Sequence, residues 1–377
     1  MVLATIAALI VANSAFSDFY HDFFKSKFFV TIDFLQFNQE FSLHDVINDF
    51  LMAIFFLLVG LELKREVLVG ELSSKAKIFM PVIAACGGVI FPALIFCAIN
   101  FSDSQNWRGF AIPTATDIVF TYVIIKAFGE KISHSAKIFL ITLAVVDDLV
   151  AIIIIALFYT DNLQLIYFAA SLFAVICLAF LNIKKSRSIF LFSLFGALLW
   201  FSVLKSGIHP SLAGVVLALF IPFKINELFP LKKLALTLSP IVNFFILPLF
   251  AFANAGVKIS NFTPDVIFDS IVLGVALGLF LGKQIGVMLF SFIAVKLKIC
   301  ELPKGSNWQE FYCLAILTGI GFTMSLFIGN LAFASDDVID RVKIGVLAGS
   351  LLSALTGSAM LFLCNRKIAH KKNNSKE

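Results

Sequence analysis

The chain has 377 residues, of which 60% are hydrophobic and 14% are charged, and its formal net charge is +5. Soluble domains carry charged residues at about a quarter of their positions, whereas the apolar runs here, such as residues 138–158, are long enough to cross the hydrocarbon core of a bilayer. The composition therefore excludes a soluble globular protein, and because no basic patch contains aromatic residues, no nucleic-acid partner is expected.

The apolar runs predict an all-α polytopic membrane protein with about twelve transmembrane helices, in a single membrane domain that covers residues 1–377. The lipid bilayer is therefore an expected partner. The first run, residues 2–12, has no basic segment before it, so it predicts a short span followed by an acidic loop rather than a cleaved signal peptide. The predicted spans are residues 1–16, 44–70, 78–100, 108–127, 134–158, 163–183, 188–204, 207–223, 234–256, 267–296, 310–334 and 342–364.

The segment between the first two spans has a different pattern. Residues 27–42, KFFVTIDFLQFNQEFS, alternate in part between apolar and polar side chains, which is typical of paired strands. The segment predicts a small extracellular β-hairpin, with an ordered coil loop as the alternative.

Basic residues distinguish the two faces of the membrane. With twelve spans, 21 of the 29 basic residues fall on one side and seven on the other, and the bias alternates from loop to loop. Lysine and arginine are enriched in cytoplasmic loops, so the richer side is the cytoplasm. Both termini are therefore predicted to be cytoplasmic.

Four charged residues lie within predicted spans, where a charge is expensive. Asp117 is in the fourth span, Asp147 and Asp148 are in the fifth, and Lys283 is in the tenth. Such residues mark an ion or proton path, or form a structural salt bridge between helices. Three carboxylates and one lysine leave an excess of acid, which favours a functional site. Because adjacent helical residues differ in direction by about 100°, one aspartate can meet Lys283 while its neighbour faces a cavity.

The fourth and eleventh spans contain helix-breaking residues. Pro113 precedes Thr114–Asp117 in one, and Gly319 and Gly321 interrupt the other. Each is the middle span of a three-span unit, spans 3–5 and 10–12, and the offset of seven spans makes the two units inverted repeats. Opened helices would expose helix ends with partial charges, which Asp117 and Lys283 would offset.

Other functions are less consistent with this pattern. An aspartyl protease needs two carboxylates that face each other, and a membrane enzyme needs a nucleophile–base or metal constellation, whereas the five histidines are scattered and the six cysteines show no CxxC spacing. No enzyme activity and no cofactor are therefore expected. A cation channel is the alternative to a secondary transporter, although clustered charges suit one gated site better than a continuous wet path.

The segments IPTATDIVF, VVDDLVAIIIIALFYT, LPLFAFANAGV, TGIGFTMSLFIGNLAF and INDFLMAIFFLLVGLELKRE resemble those of bacterial NhaA-type sodium/proton antiporters, over nearly the whole chain. The resemblance implies an electrogenic antiporter of the cell inner membrane that exports sodium, and lithium as a further candidate ion, in exchange for protons. A role in intracellular pH and sodium homeostasis follows. It also implies crossed, discontinuous spans 4 and 11, and a homodimer joined partly through the extracellular β-hairpin, with spans 1–2 and 6–9 as the interface unit.

The resemblance also implies roles for individual residues. Asp148 is similar to the principal cation- and proton-binding carboxylate, and Asp147 to the neighbour that pairs with Lys283, so both are expected to bind sodium. Thr116 and Asp117 resemble residues that line the site in the opened span 4. The residues expected in the ion path or the pH response are Asp49, Glu62, Glu66, with Lys64 and Arg65 beside them, and His209.

One feature departs from the family pattern. A Glu-His pair is usual at the start of span 9, whereas LKKLALTLSP offers neither residue here. His209 is followed by a proline, and a single histidine at a span edge is also consistent with packing. The pH at which the protein becomes active is therefore not predicted.

Overall fold

The structure is a computed structural model, and it describes residues 1–32, 37–70, 75–129, 132–160, 163–258 and 264–374. Most of these residues are helical. The helices are α1 (Val2–Ala12), α2 (Ser17–Lys25), α3 (Leu43–Val69), α4 (Lys75–Ile99), a 3₁₀ segment (Ser104–Thr114), α5 (Ile118–Ala127), α6 (His134–Phe158), α7 (Leu165–Ile183), α8 (Ile189–Ser206), α9 (Leu212–Phe220), α10 (Pro230–Asn254), a 3₁₀ turn (Pro264–Phe268), α11 (Ser270–Lys296), α12 (Trp308–Leu317), α13 (Phe322–Ala332) and α14 (Asp336–Asn374).

The predicted β-hairpin is confirmed. Strand β1 (Lys27–Ile32) pairs antiparallel with β2 (Phe37–Ser42), and the register places Lys27 opposite Ser42. The tip, residues 33–36, lies outside the described residues. Ser42 then accepts a hydrogen bond from the Asp45 backbone N–H and Asp45 accepts one from Ser42 N–H, a capping box that starts α3 directly after the hairpin.

The all-α polytopic fold is also confirmed, with differences in two predicted spans. Nine described helices are long and apolar enough to cross a membrane, or eleven if two bent helix pairs each count as one span. The predicted span 207–223 contains only the nine-residue helix α9, which is about 14 Å long. Its start is delayed because Gly207 adopts φ +89° and Pro210 follows.

The N-terminus differs from the prediction as well. Instead of a span over residues 1–16 and an acidic loop, α1 ends at Ala12, and α2 begins at Ser17 with its axis turned by 113°. A helix forms in place of the loop because aromatic side chains of α2 pack against Phe252 of α10. Tyr20 and Phe24 are buried, and the Tyr20 hydroxyl donates to the Phe252 carbonyl oxygen.

The described chain divides into two compact units. The first contains Met1–Leu68 and Ile152–Thr263, and the second contains Val69–Ala151 and Pro264–Glu377. The second unit thus contains the predicted spans 3, 4, 10, 11 and 12, and the predicted span 5 as far as Ala151. The core of the first unit is built from aliphatic side chains such as Leu61, Leu178 and Leu199.

Within the second unit, α4 and α11 meet backbone to backbone. A Cβ atom on Gly286 would lie 2.0 Å from the Gly87 carbonyl oxygen, and one on Gly87 would lie 2.1 Å from the Gly286 carbonyl oxygen. Only glycine at both positions permits this approach. The contact lies one helical turn after Lys283 and so determines where that lysine enters the unit.

Two helices of the second unit are interrupted where the sequence indicates. After the 3₁₀ segment the chain is extended at Ala115, and α5 begins only after Asp117. Similarly, α12 and α13 are separated by residues 318–321 and bent by 43°. The N–H groups of Gly321 and Phe322 donate to Ser350 Oγ, so donors released by the second break are satisfied by a side chain.

Candidate ion-binding site

A buried ion pair lies at the centre of the second unit. Lys283 Nζ is 2.5 Å from Asp147 Oδ2, and both side chains are 0% exposed. An isolated buried charge costs several kcal/mol, so each member of such a pair requires the other. This is the pairing that the family resemblance implied.

The hydroxyl of Thr116 connects this pair to both helix breaks. Thr116 Oγ1 lies 2.6 Å from Asp147 Oδ2 and 2.8 Å from the Thr318 carbonyl oxygen. A hydroxyl has one proton to donate, so the two acceptors share it or alternate. Thr318 is the residue that follows α12, so the Thr116 hydroxyl links Asp147 to the break between α12 and α13.

Asp148 is the second buried carboxylate of α6, with 3% exposure. It also attracts Lys283 electrostatically, so the lysine interacts with both aspartates rather than with one alone. Asp147 Oδ1 accepts no hydrogen bond from the described residues. The site therefore has carboxylate oxygen that the protein's own donors do not occupy.

Asp117 lies at the N-termini of two helices at once. Its Oδ1 accepts the Phe120 N–H at 3.1 Å, which caps α5, and its Oδ2 accepts the Thr323 N–H at 3.1 Å in the first turn of α13. Thr323 Oγ1 donates to the same oxygen. A carboxylate is favourable at these positive helix ends, so Asp117 has the position that the broken spans led us to expect.

Lys283 does not bond directly to the negative helix ends. Its hydrogen-bond partner among the described residues is Asp147, whereas the carbonyl groups at the breaks accept hydroxyl donors. Thr116 donates to Thr318 O, and Thr114 donates to Ala111 O at 2.8 Å. Among the described residues, Lys283 is therefore not a cap of these helix ends, and its effect on their partial charges stays a prediction.

Thr318 and Thr323 are the site residues that sequence reasoning did not assign. Both are buried, and each joins the second break to a residue of the first. Their signal was weak, because threonine hydroxyls in apolar helices usually bond to their own backbone.

The described part of the chain contains no group of three His, Cys, Asp or Glu side chains arranged to hold a metal ion. A cation at Asp147 and Asp148 would need further oxygen ligands from hydroxyl groups, opened backbone or water. Such ligands suit hard ions that bind reversibly better than a resident transition metal.

The remaining candidates, Asp49, Glu62, Glu66 and His209, belong to the first unit. Asp49 lies in a π-helical turn (Val46–Leu51), and its Oδ1 is 3.5 Å from His209 Nε2. His209 Nδ1 is 2.7 Å from Ser211 Oγ, so the ring bridges α3 and the segment before α9.

Lys64 and Arg65, which accompany Glu62 and Glu66 in the expected cluster, have separate partners. Lys64 Nζ donates to the carbonyl oxygens of Leu219 and Ile221, each at 2.6 Å, and so caps the C-terminus of α9. Arg65 pairs with Glu66 at 3.0 Å. Lys64 is therefore a helix cap in this structure.

Many apolar helices, together with buried charges between broken helices, define a multi-pass membrane protein of the ion-translocating type. The family model described as "Na+/H+ antiporter 1" matches residues 1–361. The chain belongs to this family.

Several relatives match nearly the whole chain. The chain is similar to the Na(+)/H(+) antiporter NhaA of Pelagibacter ubique, with 46% identity over 97% of this chain and 94% of the relative. It is 47% identical to the NhaA of Psychrobacter arcticus over 96% of this chain and 90% of the relative. It is also 47% identical to NhaA 2 of Campylobacter jejuni subsp. doylei, over 95% and 94% of the two chains.

Replacing Lys283 tests the energetic role of the buried pair. Lys283→Ala leaves two carboxylates without their cation, which costs roughly 3–5 kcal/mol when one partner of a buried pair is removed. We expect a lower thermal midpoint in detergent, and a deficit that shrinks at low pH because protonated carboxyls need no counter-charge. Lys283→Arg keeps the positive charge, so its thermal midpoint should lie nearer that of the parent protein than the midpoint of Lys283→Ala does.

An exposed pair serves as the control. Lys27 and Glu40 are 3.3 Å apart with side chains 63% and 41% exposed, so Lys27→Ala should cost at most about 1 kcal/mol. A Lys283→Ala protein as stable as Lys27→Ala would contradict the pairing's importance.

Proposed function

We propose that this protein exchanges sodium ions for protons across the membrane, and that both ions compete for Asp147 and Asp148. The observation that carries the proposal is the charge balance of the buried site. Three carboxylates and one ammonium group lie together with 0–3% exposure. If all four are ionised the site carries net negative charge, which one bound cation would relieve.

A single shared site is sufficient to couple the movement of sodium ions to the movement of protons. Deprotonated Asp148 binds a sodium ion that enters from the cytoplasm, with Asp147 Oδ1 as a further ligand. When the site opens to the other face, a proton displaces the ion. Because occupancy by one cation disfavours the other, an inward proton gradient drives sodium outward.

The ion pair supplies a second proton-linked step. Sodium near Asp147 weakens its attraction to Lys283, and the lysine then releases its proton. The loss of more than one proton for each sodium ion would make exchange electrogenic. Thr116 would turn its hydroxyl from Asp147 towards Thr318 O in the same step, because a carboxylate engaged by sodium is a weaker acceptor.

The printed names of the relatives favour exchange over conduction. They are called sodium/proton antiporters, so the cation channel is the less favoured reading, and we assign no enzyme activity. Lithium transport and a role in pH and sodium homeostasis remain part of the proposal. The proposal also includes a pH response that involves Asp49, Glu62, Glu66 and His209.

We further propose a homodimer in the bacterial inner membrane with both termini in the cytoplasm. The basic-residue bias supports this orientation. The hairpin supports an assembly role, because Phe29 is 76% exposed on its first strand and an apolar edge strand is a pairing surface.

The competing-ion proposal is tested with Asp148→Asn in proteoliposomes. An amide neither carries the proton nor balances the cation, so sodium addition should no longer dissipate an imposed pH gradient. The exposed Asp265→Asn is the matched control and should exchange normally. Near-normal exchange by a folded Asp148→Asn protein would refute the assignment.

The orientation is tested by cysteine labelling in a background without the six native cysteines. Lys27→Cys and Arg187→Cys are both at exposed positions. An impermeant maleimide should label the first in intact cells and the second only in everted vesicles. Labelling of both from the same side would overturn the topology.

A further inference from the structure

The direction of Lys283 depends on a π-helical turn. Residues Gly278–Gly282 form this turn, and the Lys283 N–H donates to Gly278 O, five residues back instead of four. One extra residue in a helical turn rotates everything that follows by about 100°. Without the turn, the lysine side chain would leave α11 on a different face and would not meet Asp147.

Two neutral side chains hold this turn from outside. Gln284 Nε2 donates to the Phe280 carbonyl oxygen inside the turn, and Tyr312 Oη donates to Gln284 Oε1 at 2.8 Å. Gln284 is 6% exposed and follows Lys283 directly in the chain. Tyr312 lies on α12, the helix that ends at Thr318, so the three groups connect α12 to the turn.

We propose that Gln284 and Tyr312 are positioning residues for Lys283, which aim its ammonium group at Asp147 and thereby set the pH range of ion exchange. The two side chains contact neither carboxylate in the hydrogen bonds described. The proposal rests on the exchange function proposed above, because it concerns how that site is tuned.

The surroundings of Lys283 explain why its direction matters. The charged groups that act on it, among the described residues, are Asp147 and Asp148, both on α6. From α4, a Cβ atom on Gly88 would lie 3.6 Å from Lys283 Nζ, so α4 presents a small neutral residue there. α12 presents Tyr312 to the adjacent Gln284. A lysine turned away would therefore lose its anionic partners without gaining another.

Gln284→Leu removes both hydrogen bonds that connect α12 to the turn, whereas Tyr312→Phe removes only the bond from Tyr312 to Gln284. A misdirected ammonium compensates the carboxylates less well, so protons compete better against sodium. The pH of half-maximal exchange should move to higher pH by about half a unit to one unit, a fraction of the one to three units that an adjacent opposite charge produces. The rate at high pH and saturating sodium should change much less.

Asn100 offers a matched control in the same unit. Its Nδ2 donates to Phe96 O, four residues back, and to Ser270 O on another helix, both at 3.0 Å, and it is 1% exposed. Asn100→Leu removes the same kinds of bond from a buried amide whose contact with α11 is at Ser270, eight residues before the π turn rather than within it. Asn100→Leu should lower the thermal stability about as much as Gln284→Leu does, and the pH of half-maximal exchange should stay that of the parent protein.

The experiment measures sodium-dependent proton flux against pH in proteoliposomes for the parent, the two single variants, their double variant and Asn100→Leu. If Gln284 and Tyr312 act as one chain, the double variant shifts no further than Gln284→Leu alone. An unchanged profile in both single variants, additive shifts in the double variant, or an equal shift in Asn100→Leu would each overturn the positioning role. The parent reports separately on the function, because absence of sodium-dependent flux in the parent would refute exchange itself.

Discussion

The cost of burying a charge in a membrane is the constraint on which the second unit depends. Lys283 and Asp147 are fully buried, and neither is tolerable at that depth without the other. The pair is nevertheless outnumbered, because Asp148 and Asp117 are buried close to the same breaks. A structural salt bridge would need one acid for one base. In the exchange that we propose, the additional acid is what lets this helix-pinning contact serve as a binding site for a cation.

The packing of the helices in the second unit follows from the need to pair these buried charges. Gly87 and Gly286 let the backbones of α4 and α11 touch, and Lys283 Nζ lies beside Gly88 of α4 next to this contact. The breaks supply helix ends, and Asp117 occupies two positive ends at once. Thr116 then links Asp147 to the residue that follows α12, and in the exchange that we propose the protonation or ion occupancy of this carboxylate would affect both interrupted helices. Such a link is the simplest physical route from ion binding to a change in conformation.

Much of this arrangement could be predicted from the sequence. Asp117, Asp147, Asp148 and Lys283 stand out because charge within an apolar run is costly wherever the helix packs, and the breaks are visible because proline and glycine act locally. The hairpin was visible from its alternation. These signals depend on chemistry within a few residues and do not require knowledge of the partner surface.

Other features were out of reach because they depend on tertiary contacts. Helix α2 is stabilised by the burial of Tyr20 and Phe24 against distant residues, so a local reading gave a loop. Lys64 could not be recognised as the cap of α9, since Leu219 is 155 residues away in the chain. The π turn before Lys283 likewise has no sequence signal of its own.

The central claim is that sodium and protons compete for one buried carboxylate site, and binding to the purified protein tests it most directly. In weakly buffered detergent solution, sodium addition should release protons, and sodium affinity should fall about tenfold for each pH unit of acidification where one proton is displaced. Sodium binding without proton release, or with an affinity that is independent of pH, would contradict the account.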